Sequence, residues 1–157
     1  MSWTQTFDRT LPLLGHRNWI LVVDKAYPSQ SAPGIITIDT REPLPAVLAH
    51  VKDALAAAPH VRPVYYLDRE LDFIDDTLAP GAEAFRRETA RILEGAPTQT
   101  LLHDSVFAKL DQASKLFTVV VLKTERTLAY SSVFIELDCA YWSADREKAL
   151  RTRMAHK

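Results

Sequence analysis

A small set of polar side chains interrupts the apolar runs of this chain, and their types suit proton transfer and the recognition of hydroxyl groups. His16 precedes the run Trp19, Ile20, Leu21, Val22, Val23, and Asp24 follows it directly. His103 stands between a short β-type run and a helix-type run, Lys123 closes the run Leu116–Leu122, and Tyr130, Ser131 and Ser132 follow in a row. An imidazole titrates near neutrality and so can give or take a proton at working pH, while a carboxylate accepts hydrogen bonds from hydroxyls. Taken singly, each residue also fits an ordinary role as a turn, cap or strand group. The sequence has no G-x-G-x-x-G, no G-x-x-x-x-G-K-[ST], no H-E-x-x-H and no G-x-S-x-G, which removes the familiar nucleotide, zinc-protease and serine-hydrolase classes. With one cysteine, Cys139, and scattered histidines, neither an internal disulfide nor a structural zinc site has its ligands.

The elements that must position these groups alternate between strand and helix. Trp19–Val23 has no polar alternation, as in a strand covered on both faces, and so belongs in the middle of a sheet. Asp24 then lies at the carboxyl edge of that strand, where α/β sheets hold ligands. The pattern predicts a first helix over Thr4–Leu14 with Gly15 as its left-handed terminator, and a strand over Ile35–Ile38 ending on Asp39. It predicts a helix from Pro45 to Ala58, a strand over Val64–Leu67, and a helix over Glu70–Leu78 with Asp68 as cap or turn residue. Further on come a helix over Ala82–Glu94, a strand over Thr98–Leu102, a helix capped by Asp104, strands over Leu116–Leu122 and Tyr130–Leu137, and a charged helix from Ser143. Alternating elements with no internal repeat and no linker make one α/β domain over residues 1–157.

Composition narrows the partners. The 157 residues are 47% hydrophobic, enough for one real core, and the formal net charge of −1 provides no basic field for nucleic acid or anionic lipid. No apolar run approaches the ~20 residues of a membrane-spanning helix, and Met1–Thr10 lacks the apolar stretch of a signal peptide, so the expectation is a cytoplasmic protein with no membrane partner.

Four segments together resemble the D-ribose pyranase and L-fucose mutarotase family, RbsD/FucU. They are L-G-H-x(7)-D-x-x-x-P around His16 and Asp24, I-D followed by Pro45 before a helix, His103-Asp104 with Phe107, and V-L-K-T-E-x-x-x-A-Y-S-S ending on Ser132. Their order and spacing agree over nearly the whole chain. The resemblance implies a three-layer α/β sandwich and an isomerase that exchanges anomers or ring forms of a free monosaccharide without a cofactor. It implies His16 as general acid, Asp24 as sugar-binding carboxylate, His103 as a second contact, Tyr130, Ser131 and Ser132 as the sugar-contact run, and Lys109 as a helix lysine in the site. It also implies ring-shaped homo-oligomers, a pentamer or decamer, with sites between subunits.

Departures from the family pattern leave a second reading, a non-catalytic sugar-binding or assembly protein on the same fold. Ser132 stands where the family has Asn, and a hydroxyl supplies only part of what an amide can donate and accept. Ala26 replaces Gly and Ala129 replaces Pro, and Lys25 could pair with Asp24 and fill the pocket. Geometry raises one further question. The strand between His16 and Asp24 spans roughly 17 Å at about 3.3 Å per residue. Either the Gly15 turn folds His16 back along the sheet or one site combines His16 of one chain with Asp24 of another, and the resemblance favours the second.

Overall fold

Six strands form one mixed sheet in the order β2-β5-β1-β6-β3-β4. In the computed structural model, which describes residues 1–156, β1 (Trp19–Val23) lies inside the sheet between β5 (Val119–Lys123) and β6 (Val133–Cys139), every one of its residues buried. It runs parallel to β5 and antiparallel to β6; β5 pairs parallel with β2 (Ile35–Asp39) and β3 (Val61–Asp68) parallel with β4 (Thr98–Leu101). Since β3 is also antiparallel to β6, the other five strands share one direction. The carboxyl ends of those five and the start of β6 therefore meet along one edge of the sheet.

The period-two geometry of β1 divides its side chains between two layers. Ile20 and Val22 enter a core with α1 (Trp3–Thr10), α2 (Leu44–Ala57) and α3 (Ala82–Ile92), through Phe7, Val47, Val51 and Phe85. Trp19, Leu21 and Val23 face the opposite layer, where α4 (His103–Ser114) brings Val106 and Leu110. This is the three-layer sandwich expected from the unbroken apolar run. The last helix, α5 (Ala144–Ala155), buries none of its residues, and Ser143 caps it by accepting from the Arg146 N–H.

Several local expectations are corrected, each by an identifiable interaction. The first helix stops at Thr10, because Pro12 forces the next three residues into a 3₁₀ turn; Arg17, at φ 74°, takes the left-handed position expected of Gly15. No α-helix forms over Glu70–Leu78, only a 3₁₀ turn over Arg69–Phe73. The Asp75 carboxylate accepts from the Thr77 and Leu78 backbone N–H groups, an Asx turn that replaces helical bonding, and Leu78 stays exposed. Asp68 caps nothing; it is the last residue of β3 and its side chain is enclosed. Asp104 makes no cap bond either. The Glu70 carboxylate takes that place, both oxygens accepting from the His103 N–H at 3.0 Å. Strand β6 begins only at Val133, because Tyr130 adopts φ 58° and breaks the extended run.

Candidate active site

The carboxyl edge of the sheet gathers side chains from four strand ends. At the end of β1, the Ser132 hydroxyl donates to Asp24 Oδ1 at 2.8 Å, and the Asp24 N–H donates back to Ser132 Oγ at 3.1 Å. Antiparallel pairing of β1 with β6 sets these two residues side by side, Val22 opposite Val133. The β1 end is held from its other side by β5: Thr124 donates through both its N–H and its hydroxyl to the Val23 carbonyl, at 3.0 and 2.7 Å.

At the end of β3, His103 Nδ1–H donates to Asp68 Oδ2 at 2.7 Å. The Asp68 side chain is 0% exposed and that of His103 32% exposed. Burial drives the Asp68 carboxyl up to about 6 against the opposing pull of His103, with the negative charges of Glu70 and Asp24 adding to the rise. Among the described residues, Asp68 Oδ1 has no hydrogen-bond partner. Aromatic rings wall the imidazole: Phe107, one helical turn along α4, has its centroid 4.6 Å away, Tyr130 meets it edge-on at 5.4 Å, and Phe134 lies at 6.3 Å. Tyr27 completes the wall against Phe107 at 5.9 Å, and burial beside Asp24 and Asp68 raises its phenol well above the usual tyrosine range.

The expected site residues thus fall into two groups. Asp24, His103, Tyr130 and Ser132 share the carboxyl edge. Ser131 adjoins them in sequence but turns inward, its buried hydroxyl donating to the Leu128 carbonyl at 2.6 Å. Lys123 is committed to the Tyr27 carbonyl at 2.9 Å, and Lys25 pairs with Glu125 at 2.7 Å instead of filling the space beside Asp24. His16 lies at the opposite edge, before β1 begins, and lines a cleft of about 500 Å³ with Trp19, Lys109, Glu136 and Asp138. Lys109 belongs to that cleft, its ammonium 5.7 Å from the centre of the Tyr66 ring. The Gly15 turn does not fold His16 back along the sheet.

Asp68 is the functional candidate that sequence reasoning missed. Its position carried the same signal as Asp24, a carboxylate on the last turn of a strand, but the apparent helix after it made a cap the natural reading. Among the described residues, no three His, Cys, Asp or Glu side chains gather as metal ligands, and no helix is long and apolar enough to cross a membrane.

No family model matches the sequence, and no curated protein does. Solved structures do match in shape. RbsD of Bacillus subtilis, complexed with D-ribose, aligns with TM-score 0.57 at 17% identity over 85% of this chain and 91% of its own. The fucose mutarotase of Streptococcus pneumoniae, complexed with L-fucose, aligns with TM-score 0.57 at 16% identity over 83% and 89%. FucU of Bifidobacterium longum aligns with TM-score 0.50 at 12% identity over 85% and 94%. The chain has the α/β fold of RbsD and FucU.

Proposed function

We propose that the protein is a monosaccharide mutarotase or pyranase, exchanging anomers or ring forms of a free aldose by acid-base catalysis. One observation carries the reading: Asp24, Asp68, His103 and Tyr130 converge at the carboxyl edge of a sheet whose fold is shared with proteins that hold D-ribose and L-fucose. An open carboxylate, an imidazole and an aromatic face are what a small polyol needs: acceptors for its hydroxyls, a proton carrier, and an apolar surface for its C–H groups.

The reaction asks little else. A base takes the proton of the anomeric hydroxyl, the C1–O bond to the ring oxygen breaks with its electron pair moving to that oxygen, and an acid protonates it. The open-chain aldehyde then closes on either face or through another hydroxyl. No electrons leave the sugar and no group is transferred, so neither a metal nor a nucleotide is required. His16 is the proposed acid. Its placement at the far edge supports a site shared between chains, in a homo-oligomeric ring of five or a pair of such rings, with His16 and Lys109 of one chain facing Asp24 of another.

A second reading, sugar binding without catalysis, is favoured by the Ser132 hydroxyl, whose proton is already given to Asp24 and is not free for a ligand. Saturation-transfer NMR of ribose, fucose and related aldoses separates the two. Exchange between anomers faster than in buffer, without added metal, supports the enzyme. Saturation of bound sugar with exchange at the buffer rate would establish the binding protein instead.

A further inference from the structure

We propose that His103 is the base that takes the anomeric proton, and that Asp68 is its positioning residue, fixing the imidazole so that Nε2 faces the sugar as the unprotonated nitrogen. The assignment rests on the mutarotase reading above and deepens it, since the resemblance gave His103 only a contact with sugar and gave Asp68 nothing.

Four observations carry it. First, the His103 Nδ1–H to Asp68 bond, at 2.7 Å, assigns the proton of the neutral ring to Nδ1 and leaves the lone pair on Nε2. Second, Asp68 is wholly enclosed at the end of β3, so its carboxylate serves no hydroxyl of a ligand; its reachable partner is the histidine. Third, the ring is held by its backbone and by three aromatic neighbours. Glu70 grips the His103 backbone N–H with both carboxylate oxygens, while Phe107, Tyr130 and Phe134 box the imidazole. Fourth, the His103 side chain is 32% exposed although Asp68 is enclosed, and the neighbouring Tyr130, edge-on to the ring, is 41% exposed, so the imidazole is reachable from solvent while its Nδ1 partner is not.

The step balances within these groups. Nε2 accepts the proton of the anomeric hydroxyl, and the imidazolium so formed is stabilised by the Asp68 carboxylate across the same 2.7 Å bond. The ring oxygen takes its proton from the acid, and reclosure returns both protons. A buried carboxylate beside an imidazole is costly while the ring is neutral and favourable once it is charged, so Asp68 acts on the state that follows proton transfer. The charged and titratable groups around the pair are Glu70 on the 3₁₀ turn, Asp24 at the end of β1, and the phenols of Tyr27 and Tyr130. All are acids, and the carboxylates add to the stabilisation of an imidazolium.

The test combines rates with a direct view of the ring. In wild-type protein labelled with ¹⁵N-histidine, His103 above neutral pH should show a protonated Nδ1 and an unprotonated Nε2. Exchange rates should fall by about 100-fold or more in His103→Gln and about tenfold or more in Asp68→Asn, the latter in kcat with KM little changed. A His103 ring protonated on Nε2, or exchange that survives His103→Gln, would overturn this assignment while leaving the mutarotase reading intact. Failure of the wild-type protein to exchange any sugar would remove both.

Discussion

Replacing Asp68 by Asn should change how stability depends on pH, in a direction and by an amount that follow from its burial. The Asp68 carboxyl is driven from 3.8 to about 6 by desolvation at the end of β3. Because the folded value lies above the unfolded one, the folded state holds the proton more tightly. The favourable contribution is therefore fully present below about pH 4 and is lost as pH rises through about 6. Roughly two units at about 1.4 kcal/mol each make the loss about 3 kcal/mol. Asn keeps an acceptor for the His103 Nδ1–H but cannot ionise, so Asp68→Asn escapes the loss. Urea unfolding of both proteins between about pH 4 and 8 reads Asp68 together with the His103 bonded to it, because the titrations outside that pair are common to the two. The stability of the variant relative to wild type should climb by about 3 kcal/mol across that range, most of it between 4 and 7. A difference that stays flat would show Asp68 to be solvated or fully compensated by His103, and one of opposite slope would mean that the ion pair outweighs burial.

Other expectations follow from single contacts. Tyr130 holds φ 58°, a left-handed conformation that costs a side chain of this type about 1 kcal/mol. Tyr130→Gly should leave stability within about 1 kcal/mol of wild type by chemical denaturation while weakening sugar binding, because the strain is relieved as the aromatic wall beside His103 is lost. Ser132→Asn should alter the ranking of sugars in saturation-transfer NMR more than it alters the melting temperature; an unchanged ranking would place position 132 outside the pocket. His16→Ala should remove most of the exchange rate yet leave the ¹⁵N signature of His103 untouched, since the two imidazoles lie at opposite edges of the sheet. Mixing His16→Ala with Asp24→Ala protein under proven subunit exchange should restore activity; mixtures that stay inactive would exclude a shared site.

The sheet was legible because its central strand is an uninterrupted apolar run, and only burial on both faces accounts for five such residues in a row. Asp24 and His103 were legible for a related reason: a polar residue that ends such a run has few places to go except the sheet edge. What the sequence concealed was local competition. Glu70–Leu78 has helical spacing of apolar residues, yet the Asp75 carboxylate captures the backbone N–H groups that a helix would use, and no pattern of hydrophobicity reports that preference. With that helix credited, Asp68 became a cap and the partner of His103 went unseen. Lys109 illustrates another limit. It follows His103 by six positions on α4, which turns it toward Tyr66 and the far cleft, while Phe107 at one full turn takes the place beside the imidazole.

The two groups of polar residues impose a condition on any mechanism for this chain. One edge carries acceptors and a held imidazole; the other carries His16 and Lys109 in a cleft bordered by Glu136 and Asp138. A strand of five residues separates them by roughly 17 Å, several times the reach of a hydrogen bond, and β1 is too well paired on both sides to bend. A sugar bound at the carboxyl edge therefore meets His103 of its own chain but can meet His16 only if a second chain supplies it. If His103 and Asp68 provide the base, the same-chain residues already account for half of the proton traffic. Loss of His16 should then lower the rate less than loss of His103 at high pH, because water can stand in for the acid at the ring oxygen while the base remains in place. The ratio of the two variants' rates, followed from pH 6 to 9, distinguishes a shared acid from a site complete within one chain. A shared acid makes the His16→Ala deficit largest at low pH, where the imidazolium is most populated, and a constant ratio across the range would mean that His16 contributes structure alone.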